Sequence, residues 1–175
     1  MSCELTQGYN DRQCTNGKGG IRSVMFIELE KITSLIVASC LATTIDLEVG
    51  YAPKLYKLKS NLSNYTAPPR RDEENGTTWY EQVLSMVLNS DSKELRCEID
   101  LLLQNEVAAV VEKANGEVVL LGAREGLKMG DGSEYGSGTV KQDRNGHVLA
   151  FNGNENDPVP EVDGTVYTDL LAAAA

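Results

Sequence analysis

The run Thr77–Leu88 (TTWYEQVLSMVL) sets Tyr80, Gln82, Leu84, Met86 and Leu88 on one side of an extended backbone. Trp79, Glu81, Val83, Ser85 and Val87 fall on the other. Side chains alternate across a strand, so this period-two pattern predicts a strand and argues against a helix. A second run, Lys54–Tyr65 (KLYKLKSNLSNY), precedes it, and the two flank the polar stretch NYTAPPRRDEENGT. Residues 54–88 therefore predict a long antiparallel hairpin. A lone two-stranded hairpin removes too little apolar surface from water to be stable. It must be completed by the rest of the domain or by another copy of the chain. The second option makes it an assembly element, with Lys57, Lys59, Asn61, Ser63, Trp79, Glu81, Val83 and Ser85 as inter-subunit positions. Its tip, Pro68, Pro69, Arg70, Arg71, Asp72, Glu73 and Glu74, reads as a loop, since Pro-Pro disfavours pairing and the charges favour solvent. So long an unstructured loop is uncommon without a task. Docking on a neighbour is one such task, and a plain solvated loop fits the same residues.

The remaining elements follow in order. Residues 1–20 are polar and turn-rich and read as an extended arm. Ile21–Leu29 is a strand apolar enough for burial on both faces, and Ile32–Ala38 and Thr44–Val49 are two more. Asp91, with Glu94 three residues on, opens a helix over 91–105. Leu95, Ile99, Leu102 and Leu103 share its apolar face, Asn105 closes it, and Cys97 is a partly buried bystander. Val107–Glu112 and Glu117–Leu121 flank Ala114-Asn115-Gly116, a tight hairpin. Gly122–Met129 continues as a possible strand, and Gly130–Gly138 is a flexible loop. Thr139–Gln142 and His147–Asn152 form a last hairpin around Arg144-Asn145-Gly146. Residues 154–175 are an acidic C-terminal arm with an apolar end. The sum is a mainly β chain of eight or nine strands, an antiparallel sandwich or barrel with one flanking helix and a long protruding hairpin.

Composition narrows the function. A chain of 175 residues with 41% hydrophobic and 24% charged residues suits one globular domain. No apolar run is long enough for a membrane helix, and the N-terminus lacks the basic-then-apolar pattern of a signal peptide. A net charge of −10 argues against binding nucleic acid through its phosphates. Cys3, Cys14, Cys40 and Cys97 have no C-x-x-C spacing and, with His147 the sole histidine, build no zinc site. Reduced thiols in a cytosol are expected. The glycines of GDGSEYGSG open no helix and no G-K-[ST] follows, so a phosphate cradle is not expected. Asn152, Asn154 and Asn156 echo a calcium loop, but Asp157 stands where that loop needs glycine and Asp163 where it needs glutamate. His147 has no Ser or Cys at readable spacing. The sequons at Asn61, Asn64 and Asn75 carry weight only in a secreted chain. No enzyme, cofactor or metal is expected.

The order of elements carries the one resemblance. A strand group, a long hairpin with an aromatic return strand, a helix running from NSDSKEL to LLLQNE, then VAAVVEKANGEVVLLGAREGLKM and the Gly-rich GDGSEYGSGTVKQDRNGHVLAF come in sequence. This resembles the tail tube protein of tailed bacteriophages, whose fold is shared with the inner tubes of contractile injection systems. The likeness covers roughly residues 21–153, most specifically Trp79–Met129. It implies a structural virion protein, in hexameric rings stacked into a hollow tail tube that conducts DNA. Hairpins of successive subunits would join edge to edge, and the Pro68–Glu74 tip and the arms would reach the next ring. The implied partners are further copies, other tail proteins (terminator, distal tail or baseplate, tape measure) and DNA only in transit, with no membrane. The implied place is the virion tail, assembled in the host cytoplasm. If the Glu81 face lines the channel, Tyr80, Leu84, Met86 and Leu88 pack on the body, and an acidic lumen would repel DNA. The rival readings are a single-ring tail terminator or head–tail connector, and a soluble small-ligand-binding β-barrel.

Overall fold

The computed structural model describes residues 19–59, 62–140, 143 and 145–174. In chain order the strands before the first helix are β1 (Ile21–Glu28), β2 (Ile32–Ala38), β3 (Leu41–Leu47), β4 (Lys54–Lys57), β5 (Asn64–Thr66), β6 (Pro69–Arg71) and β7 (Thr78–Leu88). Helix α1 (Lys93–Gln104) follows, then β8 (Val107–Lys113), β9 (Val118–Leu121), β10 (Lys128–Met129), β11 (Glu134–Gly136), β12 (Gly146–Glu155), β13 (Glu161–Val162) and helix α2 (Gly164–Ala173). A seven-stranded sheet runs β2-β3-β13-β9-β8-β1-β4, and a six-stranded sheet runs β10-β12-β7-β5, with β11 on β12 and β6 on β7. Among the described strand pairs only β13 against β3 is parallel. The chain is thus a mainly β sandwich with flanking helices.

Three layers explain the two kinds of strand sequence. Val24 and Phe26 of β1, Ala109 and Val111 of β8, and Val119 and Leu121 of β9 point into the core between the sheets. Their neighbours Met25, Ile27, Ala108, Val110, Val118 and Leu120 point the other way, into a second core with Leu170 of α2. Covered on both sides, these strands read as continuous apolar runs, as expected for β1. Strands β7 and β12 instead bury one face, with Leu84 opposite Phe151 and Met86 opposite Leu149, so they alternate.

The hairpin differs from expectation at its base. Lys54–Lys57 pairs with β1 in the other sheet, where Tyr56 packs edge-on against Phe26 with ring centroids 5.4 Å apart. Only β5 and β6 pair with β7 as the outgoing arm. Alternation shows that a segment is a strand but not which partner it takes, and the aromatic contact decides for β1. The tip is also more regular than its composition suggests. Pro69–Arg71 is paired with Thr78–Tyr80, and proline is tolerated there because β6 is an edge strand. The turn proper is held by Asp72, which accepts from Glu74 N at 2.9 Å and from Asn75 Nδ2 at 2.7 Å.

Elsewhere the differences are local. β3 starts at Leu41, because Ser39 and Cys40 form a tight turn with φ of 52° and 62°, values that normally call for Gly or Asn. Helix α1 is capped by Ser92, whose Oγ accepts from Leu95 N at 3.1 Å, and not by Asp91. Leu102 is its buried residue, while Leu103 and Cys97 are exposed. Residues 122–127 are not strand, and the expected Gly-rich loop contains β11. Thr139 and Val140 are not strand, and β12 takes β7, β10 and β11 as partners. The expected C-terminal arm completes the domain instead: β13 joins the seven-stranded sheet, and α2 opens at Asp163, whose Oδ1 accepts from Thr165 N at 2.9 Å. The N-terminal arm with Cys3 and Cys14 lies outside the described residues, apart from 19 and 20.

Candidate assembly surface

The outer face of the six-stranded sheet gathers four of the eight expected hairpin positions, Trp79, Glu81, Val83 and Ser85. Opposite the inward pair Leu84–Phe151, the outward pairs are Ser85–Ala150, Val83–Asn152 and Glu81–Asn154. On the other flank Asn64 faces Ser85, Thr66 faces Val83 and Arg70 faces Trp79. Glu81, Trp79, Val83 and Ser85 are each half-buried. Neither helix covers this face: α2 lies on the other sheet, and Ile99 and Leu102 of α1 join the core between the sheets. Its one acid among these positions, Glu81, is paired with Arg70 at 2.8 Å. The face therefore mixes polar side chains with Trp79 and Val83 and is nearly neutral, not acidic as a DNA-repelling lumen was expected to be.

The other expected positions scatter. Lys57 and Lys59 are exposed at the β4 edge of the opposite sheet, away from β7. Asn61 lies outside the described residues. Ser63 is buried and works internally, its Oγ accepting from Val87 N at 3.1 Å. Pro68 O accepts from Glu81 N at 3.1 Å, Pro69, Arg70 and Arg71 are exposed strand, and Asp72, Glu73 and Glu74 form the turn. The Asn75 amide and the Glu74 N–H hold the Asp72 carboxyl below the usual aspartate range. Pairing leaves β5 and β6 at one rim of this sheet and β10 and β11 at the other, with no further described strand beside them.

Two polar clusters escaped the sequence. His147 is nearly buried, its Nε2 3.2 Å from Asp91 Oδ1. Asp91 also takes both Arg96 Nε at 2.8 Å and Arg96 Nη2, and accepts from the Tyr135 hydroxyl at 3.2 Å. Tyr135 stacks on the imidazole at 4.8 Å. Arg96 first, with His147 and Tyr135, holds the Asp91 carboxyl well below its usual range against the opposing effect of burial. The cluster ties the start of α1 and β11 to β12. Among the described residues no hydroxyl or thiol is bonded to His147 for it to activate.

The second cluster is built on Gln82 and Glu155, 1% and 3% exposed. Gln82 Oε1 accepts from Gly122 N at 2.8 Å, and Glu155 Oε1 accepts from Arg124 N and Glu125 N at 2.9 Å each. They bind the 122–126 loop to the sandwich. A lone glutamine in the inward stripe of β7 was the one sequence sign of it. The calcium-like residues do not converge: Asp157 is paired with Arg124 at 3.3 Å and Asp163 caps α2. No helix among the described residues is long and apolar enough to cross a membrane. Comparison with protein-family models, with curated proteins and with solved structures gives no match, so function is argued from this geometry and the resemblance in the element order.

Proposed function

We propose that the chain is a structural subunit that assembles with copies of itself into stacked, hexameric rings, forming the tail tube of a bacteriophage, a conduit for DNA. The observation that carries this reading is the asymmetry of the sandwich. The seven-stranded sheet is roofed by α2, whereas neither helix covers the outer face of the six-stranded sheet, which lies between two rims of short strands. Head-to-tail joining of β5 and β6 to the β10 and β11 rim of the next copy would pair those rims. A rotation that closes gives a ring, lined by Asn64, Thr66, Val83, Ser85, Asn152 and Asn154. A nearly neutral lining, of uncharged polar groups with Val83 among them, offers DNA no cations to grip. Other tail proteins would meet the tube at its ends.

Negative-stain microscopy of the purified protein tests the reading. Long hollow tubes are expected. Single rings would move it to a terminator or connector, and particles that stay monomeric at high concentration would overturn it.

A further inference from the structure

Strand β4 is an edge of the seven-stranded sheet that lies between two open grooves. Leu58 N donates to Arg22 O at 2.9 Å, so by strand alternation the N–H and C=O groups of Leu55 and Lys57 point away from β1, toward the edge that no described strand pairs. On the inner side, Tyr56 and Leu58 border a cleft of about 460 Å³ shared with Leu88 and Leu95. On the outer side, Leu55 and Lys57 border a cleft of about 720 Å³ closed by Tyr167 and Leu171 of α2. At the floor of the outer cleft the Glu112 carboxylate is already engaged, with Arg22 Nη1 at 2.8 Å, the Ser23 hydroxyl at 2.9 Å and the Tyr167 hydroxyl at 3.1 Å. Burial raises the Tyr167 hydroxyl above its ordinary value and keeps it a donor.

An extended strand added to such an edge places alternate side chains in the two clefts, while its backbone satisfies Leu55 and Lys57. Main-chain pairing of this kind supplies affinity and flanking pockets supply selectivity. Charge selects the occupant. In a chain of net charge −10, this edge carries Lys54, Lys57 and Lys59, none ion-paired with another described residue. The lysines keep two β4 edges apart and favour a strand bearing carboxylates. Glu28 and Glu98 stand near Lys54, so those carboxylates belong toward Lys57 and Lys59. We infer that β4 is a docking edge for an extended acidic segment with apolar residues at alternate positions. This site is distinct from the edges of the six-stranded sheet and stands or falls apart from the tube.

The test titrates the full chain with a blocked heptapeptide of alternating glutamate and valine, and with its lysine–valine counterpart, while following amide exchange. The acidic peptide is expected to bind, to slow exchange at Leu55 and Lys57, and to lose about tenfold or more in affinity in the Lys57→Glu/Lys59→Glu variant. Leu171→Asp, on the half-exposed side of α2, should weaken it as well without unfolding the chain. Concentration-dependent protection of the same two amides without peptide, abolished by the lysine variant, would assign the strand to another copy and supports the site. Equal binding of both peptides, no binding of the acidic one, or binding that leaves the β4 amides unprotected overturns it.

Discussion

Leu84 and Ser85 are neighbours in sequence and opposites in environment. Leu84 is fully buried opposite Phe151, while Ser85 faces outward opposite Ala150. Truncating a leucine at such a site costs about 2–5 kcal/mol, and a carboxylate without partners there costs more. Leu84→Asp should therefore fail to fold, and Ser85→Asp should unfold in urea within about 0.5 kcal/mol of the parent. The reverse pattern would mean that the strand faces the other way. Asp91 gives a prediction in pH. Its folded carboxyl titrates below the ordinary aspartate value of 3.8. The folded state holds that proton less tightly than the unfolded chain does. The stability it supplies is full above about pH 4 and is lost as pH falls toward the folded value. Acid titration of Asp91→Asn, followed by circular dichroism, should show a less stable protein near neutrality whose stability falls less steeply below pH 4. Parallel acid curves for the two proteins would rule the linkage out. That the cluster was invisible in sequence has a plain cause: the start of α1 with Asp91 and Arg96, β11 with Tyr135 and β12 with His147 are three segments that only the folded chain brings together.

Elements were legible where a local pattern fixes them and obscure where a distant partner does. Strand β7 and its inward face, the Asn115-Gly116 hairpin between β8 and β9, and the doubly buried β1 all follow from periodicity and turn chemistry. The partner of Lys54–Lys57 does not, since one alternating run fits either sheet. Two elements hid behind atypical signals. The Ser39–Cys40 turn has left-handed backbone without glycine or asparagine. Helix α2 reads as an apolar tail until the exposed sheet beneath it is known, though its alanines and leucines are strong helix formers. The 122–126 loop depends on long-range contacts too, and here a prediction follows. Replacing Gln82 by leucine keeps the apolar stripe of β7 but removes the acceptor of the buried Gly122 N–H. An unsatisfied buried donor costs about 1–3 kcal/mol. Urea unfolding of Gln82→Leu should show a loss of that size and faster exchange at Gly122. An unchanged midpoint would mean the loop is held by Glu155 alone.

For the whole molecule, the structure relocates the idea of an incomplete β element. Strand β7 is paired on both sides within one chain, with β12 on one flank and β5 and β6 on the other. Within its own sheet, the rim belongs to the short outer strands β5, β6, β10 and β11. Short strands at a rim are what an assembling subunit can keep without aggregating indiscriminately, because neither Pro69 nor the charged Arg70 and Arg71 invites casual pairing. Which sheet lines a channel follows from what covers each one, and only the structure reveals that α2 roofs the seven-stranded sheet. The central claim is that copies of this chain pair the rim strands of the six-stranded sheet with one another. Hydrogen–deuterium exchange, compared between dilute subunits and the assembled form, measures this directly. The account predicts that the amides of β5, β6 and β10 that point away from β7 and β12 exchange freely in the dilute chain and become protected on assembly, while those of β7 are protected in both. Rim amides that exchange alike in the two states would contradict it.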